Sequence, residues 1–83
     1  MDVDEFLQSM DLDEIFERMH KSWFSELVSR TSVEVFSGGL LNDKTLANLA
    51  VVGKGPKQIK IGRKIAYPKK ELIEWMKAKA TIK

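Results

Sequence analysis

The chain has 83 residues, 43% of them hydrophobic, and 14 Lys and Arg against 12 Asp and Glu leave a net charge of +2. That length holds one domain with a small core, or a smaller domain plus a helical extension, and the apolar content argues against a disordered chain. The absence of Cys excludes disulfides and thiolate metal sites. No apolar run approaches the roughly 20 residues that span a bilayer, and an acidic N-terminus is the opposite of a secretory signal, so a soluble, cytoplasmic protein without a membrane partner is expected.

Residues 3–27 read as helix. Phe6, Leu7 and Met10 form a short apolar cluster, after which Leu12, Ile15, Phe16, Met19, Trp23 and Leu27 recur at spacings of three and four along one helical stripe. Asp11 and Glu14 resemble a capping pair, and a break near Ser9–Asp11 would divide the segment into two helices. Residues 1–27 thus form an acidic amphipathic extension. Its stripe either covers the remaining chain or meets another copy or another protein. Covering is favoured, because the remaining 55 or so residues make a marginal core.

Residues 28–83 form the second unit. Ser29 suits the N-cap of a short helix over Arg30–Ser37, with Val33 and Phe36 inward and Gly38-Gly39 ending it. Asn42 or Asp43 caps a second helix that runs to about Val52 and stops at Gly53, with Leu46 and Leu49 toward the core. Two short helices about a tight Gly-containing turn have the outline of a helix-turn-helix. Gly53-Lys54-Gly55-Pro56 is a loop by composition. Ile59, Ile61, Ile65 and Tyr67 then alternate with Lys57, Lys60, Arg63 and Lys64 about Gly62, the pattern of a hairpin with one buried face. Pro68 ends the second strand and opens a last helix, in which Leu72, Ile73, Trp75 and Met76 face inward while Lys69, Lys70, Lys77 and Lys79 stay solvated. The expected class is α+β, in the order helical extension, helix-turn-helix, β-hairpin, helix.

Charge divides along the same line. Residues 1–40 hold nine acids against three basic residues, a net −6, and residues 41–83 hold eleven basic residues against three acids, a net +8. Such asymmetry points to nucleic-acid binding by the basic half, or else to a Lys-rich surface that only keeps the chain soluble.

Thr45-Leu46-Ala47-Asn48-Leu49, Gly53-Lys54-Gly55-Pro56, Ile61-Gly62-Arg63, Tyr67 and Glu71-Leu72-Ile73-Glu74-Trp75 follow one another in the order and spacing of a known group. On these residues the stretch from about Val28 to Ala80 resembles the small winged-helix proteins of the phage excisionase group, related to the MerR-like DNA-binding fold. The resemblance covers about two-thirds of the chain and leaves residues 1–27 outside it. It implies a winged helix-turn-helix that binds double-stranded DNA in a sequence-specific way, with the second helix in the major groove and the hairpin as a wing on the neighbouring minor groove or backbone. It further implies a role in directing site-specific recombination, beside an integrase or recombinase, or in regulating transcription from phage or mobile-element genes. In one respect the chain departs from the group. Recognition helices there often display Arg, Ser, Thr or Gln, whereas the second half of this helix is Leu49-Ala50-Val51-Val52. Affinity is therefore expected to come mainly from backbone contacts.

The candidates for DNA contact follow from side-chain chemistry. Asn42, Lys44, Thr45 and Asn48 are the polar residues at the start of the second helix, where recognition helices approach base edges. Asn can pair with adenine, Lys can reach guanine or phosphate, and the Thr methyl can meet a thymine methyl. The plainer alternative makes Asn42 a cap and Asn48 a surface residue. Lys60, Arg63 and Lys64 stand near the hairpin tip, where Gly62 permits a turn and Arg63 can enter a minor groove or pair with phosphate. Lys54 and Lys57 flank the loop and suit phosphate contacts that position without reading sequence.

Other chemistry has little to stand on. Trp75, Tyr67 and Phe36 fit core packing better than stacking platforms for single strands. His20 is the only His and has no evident nucleophilic partner, so no enzyme and no cofactor are expected. Asp11, Asp13 and Glu14 lack the Gly and bidentate Glu of a calcium loop, which leaves helix capping. The alternative function is a protein-interaction module that presents the N-terminal amphipathic helix on a winged-helix scaffold.

Overall fold

The computed structural model describes residues 11–81, and within them four α-helices and a three-stranded antiparallel sheet form a small α+β domain. The elements are α1 (Leu12–Ser22), β1 (Leu27–Ser29), a 3-10 turn (Arg30–Ser32), α2 (Val33–Phe36), α3 (Asp43–Val51), β2 (Ile59–Ile61), β3 (Lys64–Pro68) and α4 (Lys69–Lys79). The apolar cluster of Phe6, Leu7 and Met10 and the break expected near Ser9 lie outside the described residues.

Asp11 caps α1 as expected, its Oδ1 accepting from the Glu14 backbone N–H at 2.8 Å, with Asp13 and Glu14 in the positive first turn. The helix then ends at Ser22 and does not continue to Leu27. Leu27–Ser29 instead pairs with β3, Val28 opposite Tyr67, in a sheet of order β1-β3-β2. A strand that buries Val28 completely against Tyr67 outweighs one further turn of exposed helix. The intervening chain is tied down locally, Trp23 Nε1 donating to the Leu27 carbonyl at 3.1 Å and the Leu27 N–H to Ser25 Oγ at 3.2 Å.

The expected helix over Arg30–Ser37 is shorter and tighter at its start, a 3-10 turn followed by α2. Ser29 does not cap it. Its Oγ donates to Ser32 Oγ at 2.9 Å and lies 3.2 Å from Thr31 Oγ1. Ser37 closes α2: it is buried, its hydroxyl donates to the Glu34 carbonyl and accepts from the Leu41 N–H at 2.8 Å. The Gly39 N–H then reaches back to the Glu34 carbonyl at 2.8 Å, the closing bond of a helix that ends in a left-handed glycine.

Asn42 caps α3, its Oδ1 accepting from the Thr45 N–H at 2.8 Å. At the other end the Lys54 N–H bonds the Leu49 carbonyl at 3.0 Å, and Gly53 turns the chain with φ +71°. Gly62 and Arg63 join β2 to β3, with φ positive at Gly62 alone, the pattern of a type II′ hairpin turn.

That two-residue turn corrects the hairpin expectation. It pairs Ile61 with Lys64, Lys60 with Ile65 and Ile59 with Ala66, and directly opposed residues share a face. Ile65 and Tyr67 therefore face the core beside Val28, while Ile59 and Ile61 lie on the other face with Leu27 and Ala66. Ile61 is 62% exposed.

Val28, Val33, Phe36, Leu46, Tyr67, Leu72 and Ile73 make the core, with Phe16, Met19, Trp23, Leu49, Trp75 and Met76 packed around it. Helix α1 lies against α4, so Phe16 and Met19 cover this core, and Asp13 forms an ion pair with Lys77. The expected solvation of four lysines in α4 holds for Lys70 and Lys79. Lys69 is buried instead. Its backbone N–H donates to the Glu26 carbonyl at 2.7 Å and its Nζ to the Trp23 carbonyl at 3.2 Å, so its stem fills the corner between α1 and the sheet. Lys79 sits over the Trp75 ring, 5.0 Å from its centre.

Candidate nucleic-acid interface

The 3-10 turn touches both α3 and β3, and the exposed Arg63 and Lys64 share a cleft with its Arg30. On α3 the capping bond fixes the first turn, and Leu46, fully buried, fixes its rotation about the axis. Lys44, Thr45 and Asn48 are then left exposed on the outward side. Asn42 is also exposed, but its side-chain carbonyl is occupied by the cap, which leaves its amide N–H2 as the group free for a ligand.

In the hairpin, Lys60, Arg63 and Lys64 are exposed at or beside the tip, and Lys54 and Lys57 are exposed on the loop that leads into it. The loop is held from behind: Trp75 Nε1 of α4 donates to the Lys54 carbonyl at 3.2 Å, and Pro56 is buried. Among the described residues none of these five cations, nor Lys44, forms an ion pair. Their charge remains available to an external anion.

One candidate residue is not apparent from the sequence. Arg30 follows β1 directly, and its guanidinium is fixed by two bonds, Nε donating to the Tyr67 hydroxyl at 3.1 Å and Nη2 to Gln58 Oε1 at 3.0 Å. Tyr67 itself is 1% exposed, so the arginine is braced on a rigid partner. Three of the five N–H groups of the guanidinium stay unused. Arg30 also lines a cleft of about 320 Å³, together with Ser29, Thr31, Arg63, Lys64 and Ile65. Three cations and two hydroxyls line this cleft and no carboxylate does, a donor set suited to a phosphate-sized anion. The available signal was the strand itself. Had Leu27–Ser29 been read as the partner of Tyr67, Arg30 would have fallen beside the hairpin tip.

The remaining candidates play other parts. Tyr67 and Phe36 are buried and Trp75 is half-buried, so none presents a stacking face. The Asp11 carboxylate caps α1 and Asp13 pairs with Lys77. No helix among the described residues is long and apolar enough to cross a membrane.

No protein-family model matches the chain, and no curated protein sequence matches it.

Proposed function

We propose that the chain is a winged-helix protein that binds double-stranded DNA and performs no chemistry on it. In this reading α3 enters the major groove, the β2–β3 hairpin is the wing on the adjacent minor groove or backbone, and Arg30, Arg63 and Lys64 hold a phosphate between them. Its biological role is that of an excisionase-type directionality factor, beside a recombinase, or of a transcription regulator of a phage or mobile element. The observation that carries the reading is the meeting of Arg30, Arg63 and Lys64 in one cleft beside the 3-10 turn, which touches both α3 and β3. The resemblance in motif order and the net +8 of residues 41–83 support it. Phosphate contacts of this kind set orientation and most of the affinity, while groove contacts from α3 supply the sequence preference.

The alternative, an interaction module that presents its N-terminal helix, has less support. Phe16 and Met19 of the α1 stripe lie against the core and Asp13 on Lys77, which leaves Ile15 as its exposed member. The test is fluorescence-anisotropy titration at low salt with duplexes from the flanks of the gene and with shuffled duplexes of equal length. Binding that weakens in Arg63→Ala and Lys44→Ala is expected. Absence of binding, or binding indifferent to both substitutions, refutes the reading.

A further inference from the structure

Five exposed side chains of α3 and its C-cap fall into one row, with the exposed Asp43 lying off it. Lys44, Thr45, Asn48, Val51 and Val52 stand at relative positions that share one face of an α-helix. All five are exposed, Val51 at 86% and Val52 at 62%. The row is polar where the helix begins and apolar where it ends. Neither valine belongs to the core, where the buried side of α3 is supplied by Leu46 and Leu49. An α-helix with its side chains is roughly 10–12 Å across and fits the roughly 12 Å width of the major groove, so one face of α3 can be turned to base edges.

The chemistry of that row is one-sided. Arginine, the usual bidentate reader of guanine, is absent from α3, and Lys44 in its first turn is the one long cation there. Asn48 matches the N6/N7 edge of adenine, and apolar side chains match the C5-methyl of thymine. The surrounding cations of the hairpin and Arg30 cleft complement a polyanion rather than an apolar protein surface. We infer, resting on the DNA-binding reading above, that the apolar end of α3 reads thymine methyl groups: Val51 and Val52, with the Thr45 methyl, pack on them while Asn48 pairs with adenine, so that the base pairs under α3 are A·T-rich.

Replacing thymine by deoxyuridine removes the methyl and keeps every hydrogen-bonding group. The experiment selects a preferred duplex from a random pool, then titrates the full chain with that duplex in thymine and deoxyuridine forms. The selected site is expected to be A·T-rich, and deoxyuridine to weaken binding roughly fourfold for each methyl contacted, the factor conferred by burying one such group. The double variant Val51→Ser, Val52→Ser is expected to keep only the smaller thymine preference that the Thr45 methyl confers, and to keep its circular dichroism, since both side chains are exposed. Equal binding of the two duplexes by the unmodified chain overturns this inference alone. So does a G·C-rich selected site, or a double variant whose thymine preference is undiminished. If the double variant binds both duplexes as tightly as the unmodified chain does, the valines serve a protein partner and the inference falls. Failure to bind any duplex at low salt refutes the DNA-binding reading itself, and this inference with it.

Discussion

Replacing Arg30 by Met tests whether the cleft beside the hairpin tip holds a DNA phosphate. The substitution keeps an unbranched apolar stem and removes the guanidinium, with its bonds to Tyr67 and Gln58. Each phosphate contact contributes a slope of about −0.9 to the dependence of log affinity on log salt. Between 50 and 200 mM salt, a contact of that size changes affinity by about 3.5-fold. The loss of Arg30 should therefore make the slope shallower, by at most about 0.9 because Arg63 and Lys64 share the phosphate, and reduce the fall in affinity over this interval by at most the same 3.5-fold factor. The effect should be the same on preferred and shuffled duplexes, because a phosphate carries no base identity. Arg30→Lys should keep the slope and lose a few-fold in affinity, since an ammonium cannot brace on Tyr67 and Gln58 and still present a planar fork. Anisotropy titrations across a salt series measure both quantities, with Lys21→Met on α1 as a control whose slope should not move. Thermal unfolding guards against a folding artefact, as the lost bonds should cost about 1 kcal/mol each. A slope for Arg30→Met equal to that of the unmodified chain refutes the phosphate assignment.

Three further outcomes bear on the scaffold. Phe16→Ala in α1 should destabilise by about 2 kcal/mol in urea titration, below the roughly 3–5 of a fully buried Phe because the side chain is half-buried; no change would mean that α1 does not cover the core. Asn42→Ala should cost about 1 kcal/mol through loss of the Thr45 cap, and Asn42→Asp, which also caps, should restore it. Gly62→Ala places a Cβ at φ +64° and should cost about 1–2 kcal/mol, seen as a lower urea midpoint with unchanged m-value.

Which parts of this fold were legible depends on the range of the interactions that made them. The caps at Asp11 and Asn42, the stop at Gly38-Gly39 and the hairpin turn at Gly62 are settled within three to five residues, and their residue types announce them. The strand at Leu27–Ser29 is too short to show a period, and Trp23 and Leu27 continue the helical spacing of α1. Only its distant partner β3, about 40 residues on, makes it a strand. The same limit hid the facing of the hairpin. Ile59, Ile61, Ile65 and Tyr67 look like one apolar set until the two-residue turn divides them between the two sides of the sheet.

By itself the sequence determined the caps at Asp11 and Asn42 and the stops at Gly38-Gly39 and Gly53, that the positive charge lies in the second half, and which cations of the loop and hairpin tip stay in water. These follow from backbone chemistry and solvation, which act locally. The tertiary structure alone decided that Lys69 is buried, that the stripe of α1 lies on α4, and that Arg30 stands braced on Tyr67 beside Arg63 and Lys64. Each of those positions depends on residues far apart in the chain, whose meeting is set by sheet register and core packing rather than by any local preference.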